Sequence, residues 1–200
     1  MVVIKPQIKI DVLHNQLQRL LPGVRKDGKT PVFRHSLNVG ERLATWEVPA
    51  HIKLAGYYHD LMEDVPEIAN LNTKEEKLIS IVALAEEVGL SSTDAASVAQ
   101  LVWECSYTPD EYRMEKFDRK RAAVKRWKHS DNSVKLIKTA DILDNRRSML
   151  LLTQDFRDDY DFWALGLLVS FMHDFGEVVP SCQLFHQCGR ASERILASIL

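Results

Sequence analysis

The sequence predicts an all-α domain, on three observations. Apolar residues recur at three- and four-residue spacing along most of the chain, the period of an amphipathic helix. Only eight glycines and seven prolines punctuate 200 residues, and no hairpin turn signal stands between two alternating runs. Neither an internal repeat nor a low-complexity segment is present. The length suits one domain of ordinary size with a real hydrophobic core.

Each helix has its own signals. A first helix runs from Asp11 to Leu21 and ends at Pro22-Gly23. The basic loop Arg25-Lys26-Asp27-Gly28-Lys29 follows. Val32 to Trp46 forms a second helix carrying His35, and Pro49 opens a third that ends near Pro66. Thr73 with Glu76 three residues on is a capping box that opens a fourth helix. Ser92 or Thr93 starts a fifth, running to about Glu104, and a sixth spans Pro109 to about His129. Asn132 or Ser133 caps a seventh, which extends to about Gln154. An eighth covers Asp158 to Phe175, and a short last helix covers Ala191 to Leu200.

Composition excludes several classes. The net charge of −2 makes the whole molecule a poor polyanion binder, so attraction for phosphates must come from local clusters. No nucleic-acid partner is expected. Cys105, Cys182 and Cys188 are odd in number and lack a C-x-x-C pair, against a disulfide framework or a cysteine zinc site. A reducing cytoplasm is the expected location. The opening MVVIKPQIKI has no apolar signal-peptide region. The longest apolar stretch, Trp163 to Met172, is half of the ~20 residues of a membrane span, so no membrane partner is expected. The sequence leaves the oligomeric state open.

The run AGYYHDLMEDVPE carries the chemistry. His59 and Asp60 are adjacent, with Glu63 and Asp64 one helical turn later. One imidazole and three carboxylates on one turn repel each other unless a divalent cation joins them, and this donor set suits Mn, Fe or Zn. A metal needs ligands from other helices as well. His35 offers one from the second helix. Asp141 offers another, from an apolar stripe of Val134, Ile137, Ala140 and Leu143, where an unpaired aspartate is costly. A lone histidine on an apolar helix is ordinarily core, and a bare His-Asp pair is weak. The pair His173-Asp174 illustrates this: no aspartate follows it, and Gly176 interrupts its helix. The ordered set His35, His59-Asp60, Asp141 is the signal.

That order resembles the HD phosphohydrolase superfamily, in which all four residues bind one metal in a helical bundle. Three blocks resemble one branch of it, the (p)ppGpp hydrolase domain of Rel/SpoT enzymes and small alarmone hydrolases. Arg25-Lys26-Asp27 through Pro31 and His35 is similar to the family's basic loop. HDLMEDVPE is similar to its H-D-x-x-E-D signature. DRKRAAVKRWKHSDNSVKLIKTADILDNRRSM is similar to the stretch ending K-L-A-D-x-L-x-N-x-R. The likeness covers about residues 20–150, with 151–200 expected to complete a single HD domain over 1–200.

The resemblance implies a stand-alone, metal-dependent hydrolase that removes the 3′-pyrophosphate of (p)ppGpp, giving GDP or GTP and pyrophosphate. It implies Mn²⁺, or another divalent metal, on His35, His59, Asp60 and Asp141. Glu63 and Asp64 would be the catalytic carboxylates. Arg25, Lys26, Asn145 and Ser148 would bind substrate. The chain departs from the family at Asp144, where His or Tyr is usual, at Ser36 and Val65, and in a basic loop one residue longer. Asp144 puts base stacking in doubt and favours the runner-up, the same chemistry on a dNTP, a nucleoside monophosphate or NADPH. A catalytically silent nucleotide-binding module ranks last, because all six metal and catalytic residues are present.

Overall fold

The computed structural model describes residues 8–149, with side chains to Asn145. The elements in order are α1 (Ile10–Leu20), α2 (Val32–Thr45), α3 (Ala50–Tyr58), α4 (Leu61–Asp64), α5 (Pro66–Ala69), α6 (Lys74–Glu87), α7 (Ser92–Cys105), α8 (Pro109–Tyr112), α9 (Lys116–Lys128) and α10 (Asn132–Met149). Among the described residues there is no strand, only an isolated bridge between Val24 and Pro31 that closes the basic loop. The domain is all-α, as its apolar spacing predicts. No described helix is long and apolar enough to cross a membrane.

Local chemistry explains most boundaries. Thr73 and Glu76 form the expected capping box at the start of α6. Gly89, at φ 100°, ends that helix in a Schellman turn: its N–H bonds Glu86 O, and the Leu90 N–H bonds Ala85 O. The Ser91 hydroxyl accepts from the Asp94 N–H ahead of α7. At α10 the cap is Asp131, whose carboxylate accepts the Ser133 N–H at 2.7 Å, one residue before the expected cap.

Two expected helices are broken. The third stops at Tyr58; the chain turns at His59-Asp60, restarts as α4 and restarts again at Pro66 as α5. His59 sits at the first break. Its Nδ1–H donates to the Gly56 carbonyl at 2.9 Å, the acceptor that an unbroken helix reserves for the Asp60 N–H. Asp60 takes φ −99°, ψ −3°, and its carbonyl receives the N–H groups of Glu63 and Asp64. The sixth helix breaks at Arg113–Glu115, between α8 and α9. Here Thr108 and Glu111 form a second capping box. Arg126 clamps Glu111 from α9 through Nε at 3.0 Å and Nη2 at 2.8 Å, and bonds the carbonyls of Glu104 and Ser106.

The core assembles α2, α3, α7 and α10. Helix α2 packs on α3, α3 on α7, and α10 against all three, while α6 pairs with α7 on the outside. Leu43, Leu54, Tyr58, Val98, Val102, Ile137 and Ile142 fill the interior with essentially no exposure. Helices α2 and α3 approach at two glycines. A Cβ on Gly40 would lie 2.3 Å from Tyr57 Cδ1, and one on Gly56 would lie 2.2 Å from Leu43 Cδ1. This contact sets the spacing between the helix that carries His35 and the helix that ends at His59. The end of the seventh expected helix at Gln154, the helices Asp158–Phe175 and Ala191–Leu200, the pair His173-Asp174, Cys182 and Cys188 lie outside the described residues.

Gly40→Ala drives a methyl group into the Tyr57 ring, which the packed interior cannot yield without shifting a helix. Overpacking of this kind costs about 1–3 kcal/mol. Chemical denaturation followed by circular dichroism is expected to show that loss. An unchanged midpoint would mean that α2 and α3 do not meet as described.

Candidate metal centre

Each histidine is oriented by the hydrogen bond at its Nδ1. The His59 Nδ1–H donates to a carbonyl, which can only accept, so the proton is on Nδ1. The His35 Nδ1–H donates to Asp144 Oδ2 at 2.7 Å, and the carboxylate settles the tautomer in the same way. Both rings therefore turn Nε2 toward one point. Their centroids are 5.0 Å apart at 71°.

Two carboxylates meet them there. His35 Nε2 lies 3.2 Å from Asp141 Oδ1 and 3.6 Å from Asp60 Oδ2. His59 Nε2 lies 3.1 Å from Asp60 Oδ2 and 3.6 Å from Asp141 Oδ1. The donor atoms of His35, His59 and Asp141 fall within 4.8 Å of one another. His59 Nε2 is buried and has no hydrogen-bond partner among the described residues. A buried imidazole nitrogen without a partner, aimed among carboxylate oxygens, is the donor set of a cation site, with the other ring nitrogen held by a second layer of acceptors. The residues fit a divalent metal.

Charge supports the same conclusion. Among the described side chains, the carboxylates Asp60, Glu63, Asp64, Asp141 and Asp144 share the cations Lys138 and Arg25. Burial alone would discharge the histidines, but Asp60 and Asp141 outweigh it and push His59 up to about 10. Burial works against His35 as well, yet Asp141 and Asp144 raise it. A proton and a metal thus compete for one place. Burial would raise Asp141, but Lys138 and the histidines hold it well below the usual carboxylate range. Lys138 Nζ sits 3.0 Å from Asp141 Oδ2 and 4.5 Å from the Trp127 ring centre.

Glu63 and Asp64 stand beside the cluster. Burial, then the Asp60 charge, pushes the Glu63 carboxyl up to about 7. Glu63 Oε1 accepts the Tyr107 N–H at 2.8 Å. Desolvation, then the Asp60 charge, pushes Asp64, which keeps part of its surface in water, up to about 6. The break at His59-Asp60 means that these four residues do not share one helix face, as the sequence suggested. They converge through a turn instead.

The basic loop folds back on itself. Asp27 accepts the N–H groups of Lys29 and Thr30, Gly28 turns at φ 68°, and the Arg25 N–H bonds Thr30 O. Arg25 reaches the centre: Nη2 donates to Asn145 Oδ1 at 2.5 Å, and Nη1 lies 3.4 Å from Asp144 Oδ2. Lys26 is exposed in the same loop. Asn145 also donates to Asp141 Oδ1 at 2.5 Å. Ser148 lies in α10, and its side chain lies outside the described residues.

Sequence reading missed four partners. Lys138 is three residues before Asp141, and Asp144 three after it, so helical spacing alone places both near that ligand. Asn38, one turn after His35, donates to Asp144 at 2.9 Å. Nothing in the sequence announces the Tyr107 N–H on Glu63.

The HD domain family matches residues 32–146, more than half of the chain and all four candidate ligands. No curated protein matches in sequence. A solved structure described as a metazoan orthologue of SpoT, which hydrolyses ppGpp and plays a role in starvation responses, has 22% sequence identity and a TM-score of 0.66. The likeness covers 94% of this chain and 98% of that one, so the two share a fold. With the ordered ligands brought to one point inside the matched region, the chain belongs to the HD domain family.

Proposed function

We propose that the chain is a divalent-metal-dependent phosphohydrolase that removes the 3′-pyrophosphate of (p)ppGpp, giving GDP or GTP and pyrophosphate. The observation that carries the reading is the convergence of the His35 and His59 Nε2 atoms with Asp60 and Asp141 on one point, where among the described residues His59 Nε2 has no hydrogen-bond partner. The substrate assignment rests on the HD family match and on the fold shared with the ppGpp-hydrolysing relative.

His35, His59, Asp60 and Asp141 hold the metal, and manganese suits their mixed imidazole–carboxylate donors. When bound, such a cation polarises a phosphoryl oxygen and lowers the pKa of water. The protein's own groups do the rest. Glu63, raised toward neutrality by burial, accepts the proton of the attacking water at Oε2 while Tyr107 fixes Oε1. Asp64 orients that water from the cleft mouth. The new bond forms at the phosphorus next to the ribose as the bond from that phosphorus to the 3′ oxygen breaks, and the 3′ oxygen leaves with the proton that Glu63 took from the water. Arg25 presents a planar fork to the phosphates, Lys26 adds charge, and Asn145 and Ser148 line the nucleotide side. Lys138 fixes the Asp141 carboxylate from behind. Residues 151–200 complete the same domain in this reading. The buried free thiol of Cys105 fits a reducing cytoplasm.

One observation favours a second reading. Position 144 holds a buried carboxylate where the resembled family has an aromatic, so a stacking face is missing, which suits the same hydrolysis of another nucleotide: a dNTP, a nucleoside monophosphate or NADPH. Turnover with Mn²⁺ on ppGpp beside that panel separates the two. Release of GDP and pyrophosphate supports the first. Consumption of another nucleotide alone moves the substrate and keeps the chemistry.

Asp60→Ala is expected to abolish both metal retention and turnover, measured by elemental analysis and product release. An active, metal-free variant would overturn the metal mechanism. Glu63→Gln is expected to keep the metal and lose turnover by ~10²-fold or more, the usual worth of general-base catalysis. Undiminished turnover in that variant assigns the base elsewhere.

A further inference from the structure

We propose that Asp144 is the positioning residue of the centre, holding the His35 imidazole for the metal and tying that ligand to Arg25. The proposal deepens the metal reading above and rests on it. Asp144 is 2% exposed and receives donors from two parts of the chain. His35 Nδ1 approaches Oδ2 at 2.7 Å, Arg25 Nη1 approaches the same oxygen at 3.4 Å, and Asn38 Nδ2 donates to Oδ1 at 2.9 Å. Only a group that accepts at both ends serves all three. An ionised carboxylate does so, whereas an amide of the same shape turns an N–H toward at least one of them.

Asp144 lies beyond the ring of His35, at Nδ1, while Nε2 faces Asp141 and Asp60. It therefore acts through His35. The negative charge at Nδ1 makes Nε2 a stronger donor to a cation, and the bond fixes the ring plane. The network also closes on itself. Arg25 bonds Asn145, Asn145 bonds Asp141, and Asp141 faces His35, which returns to Asp144. The guanidinium assigned to phosphate and the imidazole assigned to metal are thus set by one buried carboxylate. The residue that departs from the family pattern has joined the metal's outer shell.

The test is titration of the whole chain with Mn²⁺ alone, beside Asp144→Asn and the smaller Asp144→Ser, with helicity and melting temperature followed in parallel. Both variants are expected to bind Mn²⁺ about 10–100-fold more weakly, the usual loss when a partner of a metal-ligating histidine is removed. The visible absorption of the Co²⁺-loaded protein is expected to shift, because the His35 donor changes. Undiminished Mn²⁺ affinity in a folded variant overturns the proposal alone. Weaker binding with an unshifted Co²⁺ spectrum marks Asp144 as merely structural and also overturns it. An unsubstituted chain that binds no Mn²⁺ overturns the metal reading, and the proposal with it.

Discussion

The structure turns on the charge gathered where α2, the end of α3 and α10 meet. Asp60 and Asp141 stand within 3.6 Å of two imidazole nitrogens, and Asp144 is closed in behind them. Buried carboxylates without sufficient counter-charge are costly. Lys138 and Arg25 answer part of that cost, and protons on the histidines answer more. A divalent cation answers it without a proton, and binding that favours the folded chain adds to its stability. Fold and site are therefore one problem. Helices α2 and α3 must come close enough for His35 and His59 to share a point, which the Gly40–Tyr57 and Gly56–Leu43 contacts permit. Helix α10 must lie across both, which its apolar residues secure.

The turn at His59-Asp60 solves a geometric difficulty. Neighbours on an α-helix point about 100° apart, so two adjacent residues on an unbroken helix aim poorly at one ion. By giving the Gly56 carbonyl to its own ring, His59 buries its imidazole against the helix it ends. The backbone of Asp60 then swings its carboxylate to the same point, 3.1 Å from His59 Nε2. The Asp60 carbonyl in turn starts α4, which delivers Glu63 and Asp64. The same histidine side chain thereby caps the end of a helix and is oriented by it, beside a neighbour that turns to the same point.

Much of this was legible in the sequence because helical period and capping are local. The capping box at Thr73 and the start of α2 at Val32 follow from residues a few positions apart, and the histidines and aspartates were legible by their order along the chain. The breaks were not legible. No glycine or proline marks His59-Asp60 or Arg113–Glu115, and each break depends on a side chain bonding a backbone or a distant helix. Asp144 shows the same limit. Its residue type reads as a lost stacking position, while its environment makes it the partner of a residue 109 positions earlier.

The catalytic side of the site hangs on a chain of such distant contacts. Glu63 keeps its orientation through the Tyr107 N–H, so its placement depends on the segment that follows α7. That segment is held by Arg126, which bonds the carbonyls of Glu104 and Ser106 on either side of Cys105 and grips Glu111 beyond it. Arg119 lies over Tyr107 and Tyr112 and covers the same segment from α9. Lys116, Arg121, Lys125 and Lys128 of α9 are exposed, and the structural part of its basic run is Arg126 with Arg119 beside it. It fixes the strap on which the proposed base leans. Charge that looks like surface in the sequence is structural where a guanidinium finds several acceptors at once.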